Sequence, residues 1–310
     1  MILAGCAVAV TAAAHYRVAV VGGSGFIGSH VCKALVARGC SVTSISRNGA
    51  DTPGPIQMDG TQKRLAERFR GETWIDEVNW FAGDASNEDE AIAAFANGVD
   101  GVVCCVGSPG VLKMSKEAWN GNKWSEESLR LYAQNHDANG VAAAAAKKAG
   151  AQRCALIGVS SDTETGFGGT QPGLFKGKRD SAADARAAFG DALTYFGPHQ
   201  VVGSQDFRLK ALDSGWARGL IALNKAFGEL GYRGEDYVTR ARLTPPVSVD
   251  DLATAIAAAI TGAVEVEPTE RCVIANDGGV DGVEICTTGR YVDGTAAIAK
   301  LAAEAHLHAP

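Results

Sequence analysis

None of the eight cysteines in this 310-residue chain belongs to a C-x-x-C pair, so neither a zinc ribbon nor a dithiol redox motif is indicated. His15, His30, His136 and His199 stand isolated, and without ligand spacing among them no metal site is expected. No serine sits on a strand-turn-helix elbow with histidine and aspartate in a hydrolase order, which sets that nucleophile chemistry aside. Basic charge is in deficit, with 29 Lys and Arg against 35 Asp and Glu and a formal net charge of −6. Together with an aromatic content of only 7%, that balance argues against a nucleic-acid partner. No apolar run reaches the roughly 20 residues of a membrane-spanning helix, so no transmembrane segment is expected.

The remaining composition is that of an ordinary globular protein, 46% hydrophobic and 21% charged. The chain is long enough for one large domain, or one and a half, with a substantial core. Several cysteines lie in apolar runs, as in "VVCCV" at 102–106. They read as small buried hydrophobes, a usage that suits a reducing compartment. Lys176, Lys178 and Arg179 cluster and read as a solvated helix start, with a local basic patch as the alternative. Residues 1–15 begin "MILAGCAVAVTAAA", without a charged side chain. They are too short to span a bilayer and have no basic leader. A targeting remnant and an apolar docking arm fit them equally.

The most informative stretch is "YRVAVVGGSGFIGSHVCKALVARGCSVTSISRNG" at 16–49. "RVAVV" reads as a buried parallel strand, "FIGSHVCKALVARG" has helical spacing, and "SVTSIS" reads as a second strand. The turn between strand and helix carries Gly22, Gly25 and Gly28. In such a βαβ unit the first glycine allows the tight turn, the second lets the backbone approach a pyrophosphate, and the third packs helix on sheet. Ser24, Phe26 and Ile27 complete the turn and the helix start, where free N–H groups and the helix dipole favour an anion. A dinucleotide cofactor is therefore expected. The second strand ends in Ser46, Arg47 and Asn48, with no acid to bond the ribose 2′-hydroxyl of NAD. A guanidinium there suits a 2′-phosphate, so NADP(H) is the expected form. A surface arginine at a strand end is the bland alternative.

Further βα units follow. "VNWFAGDAS" reads as a third strand ending at Asp84, with Asp84 and Ala85 expected beside the adenine. "VDGVVCCVGSPG" reads as a fourth strand whose end, Val106 and Gly107, passes under the cofactor ribose. "VLKMSKEAWNGNKW" at 111–124 reads as an excursion over the site, and the Ala-rich segment after it as a long helix. "RCALIGVSS" is a fifth strand, "SDTETGFGGTQPG" a loop, "KGKRDSAADARAAFG" a helix and "DALTYFGP" a strand. "VSVDDLATAIAAAITG" reads as an amphipathic helix starting near Asp250. The expected class is α/β, a doubly wound, mostly parallel Rossmann sheet over residues 16–200. Residues 201–310 are expected to form a small lobe, interleaved with that domain, over the carboxyl ends of the strands.

On "VVGGSGFIGSHVCKAL", "SVTSISR", "GVVCCVG", "FKGKRDSA" and "TPPVSVDDLA", the chain resembles the short-chain dehydrogenase/reductase superfamily. It is most similar to the atypical branch of plastid, plastoglobule-type NAD(P)-binding proteins. That branch also includes the complex I accessory subunit and the coenzyme Q-associated reductase-like proteins. The resemblance covers residues 17–262 and implies a site built from a serine after the fifth strand, a tyrosine and lysine on the next helix, and an asparagine on the fourth helix. By position these are Ser160 or Ser161, Lys178 and Asn135, but Leu174 stands four residues before Lys178, where the tyrosine belongs. Leucine carries no proton, and losing a general acid forfeits roughly 10²–10⁴-fold in rate. Tyr195, in the following strand, is expected to pack rather than substitute.

The expected function is thus a cofactor-holding structural or sensing subunit of an organellar membrane assembly. The alternative is an active NADPH-dependent oxidoreductase on a lipophilic small molecule of quinone or isoprenoid type. Resemblance points to the chloroplast, at the thylakoid or plastoglobule, with the mitochondrial inner membrane as the second choice.

Overall fold

The computed structural model describes residues 16–51, 64–107, 125–168, 171–203, 244–275 and 282–308. Strand β1 (Arg17–Val21) is followed by α1 (Phe26–Val36), β2 (Ser41–Ser46), a short α2 (Leu65–Arg68), β3 (Val78–Ala82), α3 (Glu88–Ala94) and β4 (Gly101–Cys104). Then come α4 (Glu126–Lys148), β5 (Arg153–Ile157), α5 (Ser161–Phe167), α6 (Pro172–Phe189), β6 (Leu193–Gly197) and β7 (Val201–Val202). The last elements are β8 (Val247–Ser248), α7 (Val249–Thr261), β9 (Pro268–Ala275), β10 (Val283–Asp293) and α8 (Thr295–Leu307).

Eight strands form one sheet in the order β3-β2-β1-β4-β5-β6-β10-β9, parallel except for the β10–β9 pair. β1 alternates its residues between two apolar layers. Val18 and Val20 join α1, α7 and α8 on one face, while Ala19 and Val21 join α3, α4 and α6 on the other. The strands between the two layers, β1, β4 and β5, are buried on both faces, which is why they read as apolar runs. Alanines 142, 143, 145 and 146 of α4 are fully buried and keep that helix close to the sheet. α1 and α7 are joined by His30, whose Nδ1 lies 2.7 Å from Asp250 Oδ1.

The order reverses between β1 and β4, and the strand ends nearest that crevice are tied together. Gly22 N–H donates to Ile45 O at 2.8 Å, and Cys105 N–H to Val21 O at 2.9 Å. Open α/β sheets bind ligands at such a switch point, beyond the carboxyl ends of the strands.

Three parts differ from the sequence reading. The segment expected as a loop contains α5, whose N-cap is Ser160; its Oγ accepts the N–H of Thr163, and the flanking glycines disguise the helix. β3 ends at Ala82, before Asp84. Residues 268–293 add two strands to the main sheet, β10 pairing with β6 over Arg290–Asp293. In that hairpin Cys272 and Cys286 face each other and form a disulfide. The reading of cysteines as buried thiols holds for Cys32, Cys40, Cys104 and Cys154 and not for this pair. The expected excursion at 111–124 and the arm at 1–15 lie outside the described residues. No helix among the described residues is long and apolar enough to cross a membrane.

Candidate functional site

The glycine turn is built by close approach. Gly22 takes a positive φ of 81°, and a methyl group on Gly28 would fall 2.2 Å from the Gly22 carbonyl. α1 therefore begins pressed against the turn, with no side-chain cap and no acid in its first turn. Gly25, Phe26 and Ile27 stay partly exposed while Gly28, Ser29 and His30 are buried. An accessible, uncapped helix start of this kind is a fit place for a diphosphate. The buried Ser24 hydroxyl has no hydrogen-bond partner among the described residues, which leaves it able to bond a polar group at this corner.

The adjacent strand ends hold the other expected nucleotide contacts. Gly83 N–H donates to Ser46 O at 3.0 Å, which sets the residues after β3 beside the end of β2. Arg47 and Asn48 are exposed there and Ala85 is buried. The Asp84 carboxylate accepts from the N–H and the hydroxyl of Ser86 at 2.9 and 2.7 Å. Those bonds, and the nearby Arg47 charge, hold it below the usual carboxylate range.

On the other side of the switch point, Lys178 is buried. Its Nζ donates to Val106 O at 2.9 Å and to Ile157 O at 3.0 Å. Burial pulls its pKa down to about 8. The sequence seats it there through glycine, because methyl groups on Gly173 and Gly177 would fall 1.9 Å from Ser128 O and 2.8 Å from Tyr132 O. α6 can therefore lie directly on α4. Asn135 is fully buried and its Nδ2 donates to Leu131 O at 2.8 Å. A methyl group on Gly107 would come 2.7 Å from Lys178 Nζ and 2.9 Å from Asn135 Oδ1. Val106, Gly107, Asn135 and Lys178 thus meet at one point.

Leu174 is 6% exposed and packed away from water, as is Phe175. The Ser160 hydroxyl is engaged within the chain: it donates to Thr163 Oγ1 at 2.8 Å, and Thr163 Oγ1 lies 2.8 Å from His199 Nδ1. Tyr195 is buried, its hydroxyl exchanging hydrogen bonds with the N–H and carbonyl of Val159 at 2.9 and 3.1 Å. Burial raises its pKa to about 12, so it holds a strand end rather than supplying a proton.

Several contributors escape a sequence reading. Asn139 clamps Val106 with both ends of its amide, accepting from the N–H at 3.2 Å and donating to the carbonyl at 2.9 Å. Its position one turn after Asn135 on a helix was the available signal. Glu164, fully buried, accepts from Arg179 at 2.6 Å and Arg271 at 3.0 Å. Arg271 comes from a distant strand, so no local pattern marks it. Arg68, at the end of α2, donates to Ser24 O at 2.7 Å, again from outside the motif.

Sheet order, glycine turn and buried lysine define a nucleotide-binding, oxidoreductase-like Rossmann protein. The model of the NAD dependent epimerase/dehydratase family matches residues 18–185, more than half of the chain. The chain belongs to that family. A curated relative, an uncharacterized chloroplastic protein of Arabidopsis thaliana, is 28% identical over 254 residues, 79% of this chain and 71% of its own length. Among solved structures, the Bordetella bronchiseptica enzyme WbmH in complex with NAD+ superposes with a TM-score of 0.50 at 17% identity, covering 82% of this chain and 73% of that one. The UDP-Glc/GlcNAc 4-epimerase of Campylobacter jejuni gives a TM-score of 0.49 at 17% identity, over 79% and 74% of the two chains. At these identities the WbmH likeness speaks to the fold alone.

Proposed function

We propose that this protein binds NADP(H) in the crevice between β1 and β4 and holds it as a fixed group, without the proton chemistry of a tyrosine-dependent reductase. The observation that carries the reading is Leu174, buried one helical turn before Lys178. The cofactor side of the site is equipped, and the position of the general acid is filled by an apolar side chain. Gly22, Ser24, Gly25, Phe26, Ile27 and Gly28 would take the diphosphate, Arg47 and Asn48 the 2′-phosphate end, and Asp84 and Ala85 the adenine. Val106, Gly107 and Lys178 would line the nicotinamide ribose, with Asn135 behind them. When bound, the cofactor would supply a hydride donor or acceptor; the chain itself offers only binding and orientation. The chloroplastic relative supports a plastid location. The partner is then a plastid membrane assembly, with residues 1–15 as the docking arm.

The test is a fluorescence titration of the purified chain with NADPH and NADH, followed by nicotinamide absorbance over hours with quinone acceptors present. The reading expects tight NADPH binding, weaker NADH binding and constant absorbance. Wild-type turnover at ordinary reductase rates would contradict it.

A second reading is favoured by one observation, the hydrogen-bonded series Ser160, Thr163 and His199. Burial lowers the His199 pKa, so a neutral imidazole can accept from Thr163. Such a series offers a proton route that bypasses Leu174, for an active NADPH-dependent oxidoreductase on a quinone or isoprenoid. On that reading His199→Ala abolishes NADPH consumption and leaves NADPH binding intact.

A further inference from the structure

Arg68 is a buried cation with no acid beside it among the described residues. It is 7% exposed, and among the described residues its Nε has no hydrogen-bond partner and no carboxylate acts on its charge. Its one hydrogen bond among the described residues runs to the carbonyl of Ser24, at 2.7 Å, inside the glycine turn. The Phe69 ring lies 5.4 Å from the guanidinium and offsets part of the desolvation. Even so, a guanidinium held out of water without a counter-charge is costly to keep, and burial brings its pKa down to about 10. Next to it is a second orphan, the Ser24 hydroxyl, 1% exposed as a residue and unpartnered among the described residues. A guanidinium and a hydroxyl left open together are the donors that a phosphate group accepts from.

The position says which phosphate. The Ser24 N–H is directed at Ser46 Oγ, 3.4 Å away, at the carboxyl end of β2. In a βαβ unit this corner receives the adenosine ribose, and an acid here bonds the 2′-hydroxyl of NAD while an arginine accommodates the 2′-phosphate of NADP. The chain places Ser46, Arg47 and Asn48 there and no acid. Arg47 is exposed, so water and salt weaken what it can contribute. Arg68 sits where the dielectric is low and a charge-assisted bond is strong.

We infer that Arg68, with the Ser24 hydroxyl, is the specificity-determining contact for the 2′-phosphate of NADP(H), Arg47 adding to it from the solvent side. The inference rests on the NADP(H) reading above and assigns its selectivity to a residue outside the glycine motif.

Calorimetric titration of the full chain, wild type and Arg68→Met, with NADPH, NADH and adenosine 2′,5′-bisphosphate tests it. Wild type should prefer NADPH. Arg68→Met should lose roughly 10- to 100-fold in affinity for NADPH and for the bisphosphate, the worth of a charged hydrogen bond, with NADH affinity unchanged. Its unliganded thermal midpoint should not fall, because a buried unpaired charge has been removed. Equal losses for NADPH and NADH, or no loss, overturn the inference. Wild type binding both dinucleotides alike sinks the NADP(H) preference and this inference with it, while wild type binding neither sinks dinucleotide binding altogether. Should Arg68→Met not fold, Ser24→Ala and Arg68→Lys decide by the same ratio, each expected to weaken NADPH and not NADH.

Discussion

Lys178 Nζ donates to the carbonyl of Ile157 at 3.0 Å and so fixes α6 to the end of β5. Its second bond, to Val106 O, ties the same ammonium to the end of β4. An ammonium has three donors, which leaves one for a ligand hydroxyl at the switch point. The lysine is therefore a strand-end clasp with one donor left for the ligand contact proposed above, and neither role needs a tyrosine at position 174.

Stability should record the burial of Lys178. Its pKa is 10.5 in the unfolded chain and about 8 in the fold, so between those values the unfolded chain binds the proton more tightly. The penalty is full below about pH 8 and is relieved as pH rises toward 10.5, so this residue's contribution to stability increases across that window. The buried thiols of Cys32 and Cys40, raised by burial, pull the opposite way above pH 9. The quantity to measure is therefore the difference in urea midpoint between wild type and Lys178→Met. It should move in favour of wild type from pH 8 to pH 10; a flat difference would contradict the assignment.

Glu164 is the acid of a buried ion group, shared by Arg179 and Arg271. Glu164→Gln removes the buried charge that both guanidinium groups bond to, although Arg271 keeps Asp293 at 3.7 Å, and should cost about 3–5 kcal/mol, the typical penalty for breaking such a group. Denaturant unfolding measures it. Since this cluster lies away from the glycine turn, the folded variant should keep its NADPH affinity.

Gly28→Ala should do the reverse, touching binding as well as stability. Its new methyl group would fall 2.2 Å from the Gly22 carbonyl, so α1 must shift from the turn at a cost of about 1–3 kcal/mol. NADPH affinity should drop with it, because the helix start moves. Calorimetry on the folded variant shows whether it does.

The disulfide should matter to stability in proportion to the loop it closes. Cys272 and Cys286 are 14 residues apart, for which chain entropy gives about 3 kcal/mol. Cys272→Ser with Cys286→Ser, compared with oxidised wild type by thermal unfolding, should show a loss of that order. No change on reduction or substitution would mean the hairpin is held by pairing alone.

The nucleotide half of the molecule was legible because its signals are local. A strand, a glycine turn at 22–28 and a helix declare themselves within about 30 residues, and the alanines of α4 announce a helix packed on a sheet. Lys178 and Asn135 could be placed by resemblance, and the fold brings them to one point with Gly107. Helix α5 was hidden because its cap, Ser160, had been given a chemical role while glycines surround the helix. The β9–β10 hairpin escaped because its partner strand, β6, lies about 100 residues earlier, and pairing at that distance leaves no periodic trace. Arg68 and Arg271 escaped for the same reason: each acts on a backbone carbonyl far away in the chain.

The central claim is that the nicotinamide is held and not turned over by the family's tyrosine chemistry. The most direct test uses NADPH deuterated at the nicotinamide C4, each face in turn, mixed with the purified chain and a plastid membrane-lipid extract. Fluorescence reports binding in the same tube, and mass spectrometry follows the label. The account predicts saturable binding with the deuterium retained on the cofactor. Deuterium recovered in a quinone or isoprenoid would contradict it and identify the acceptor.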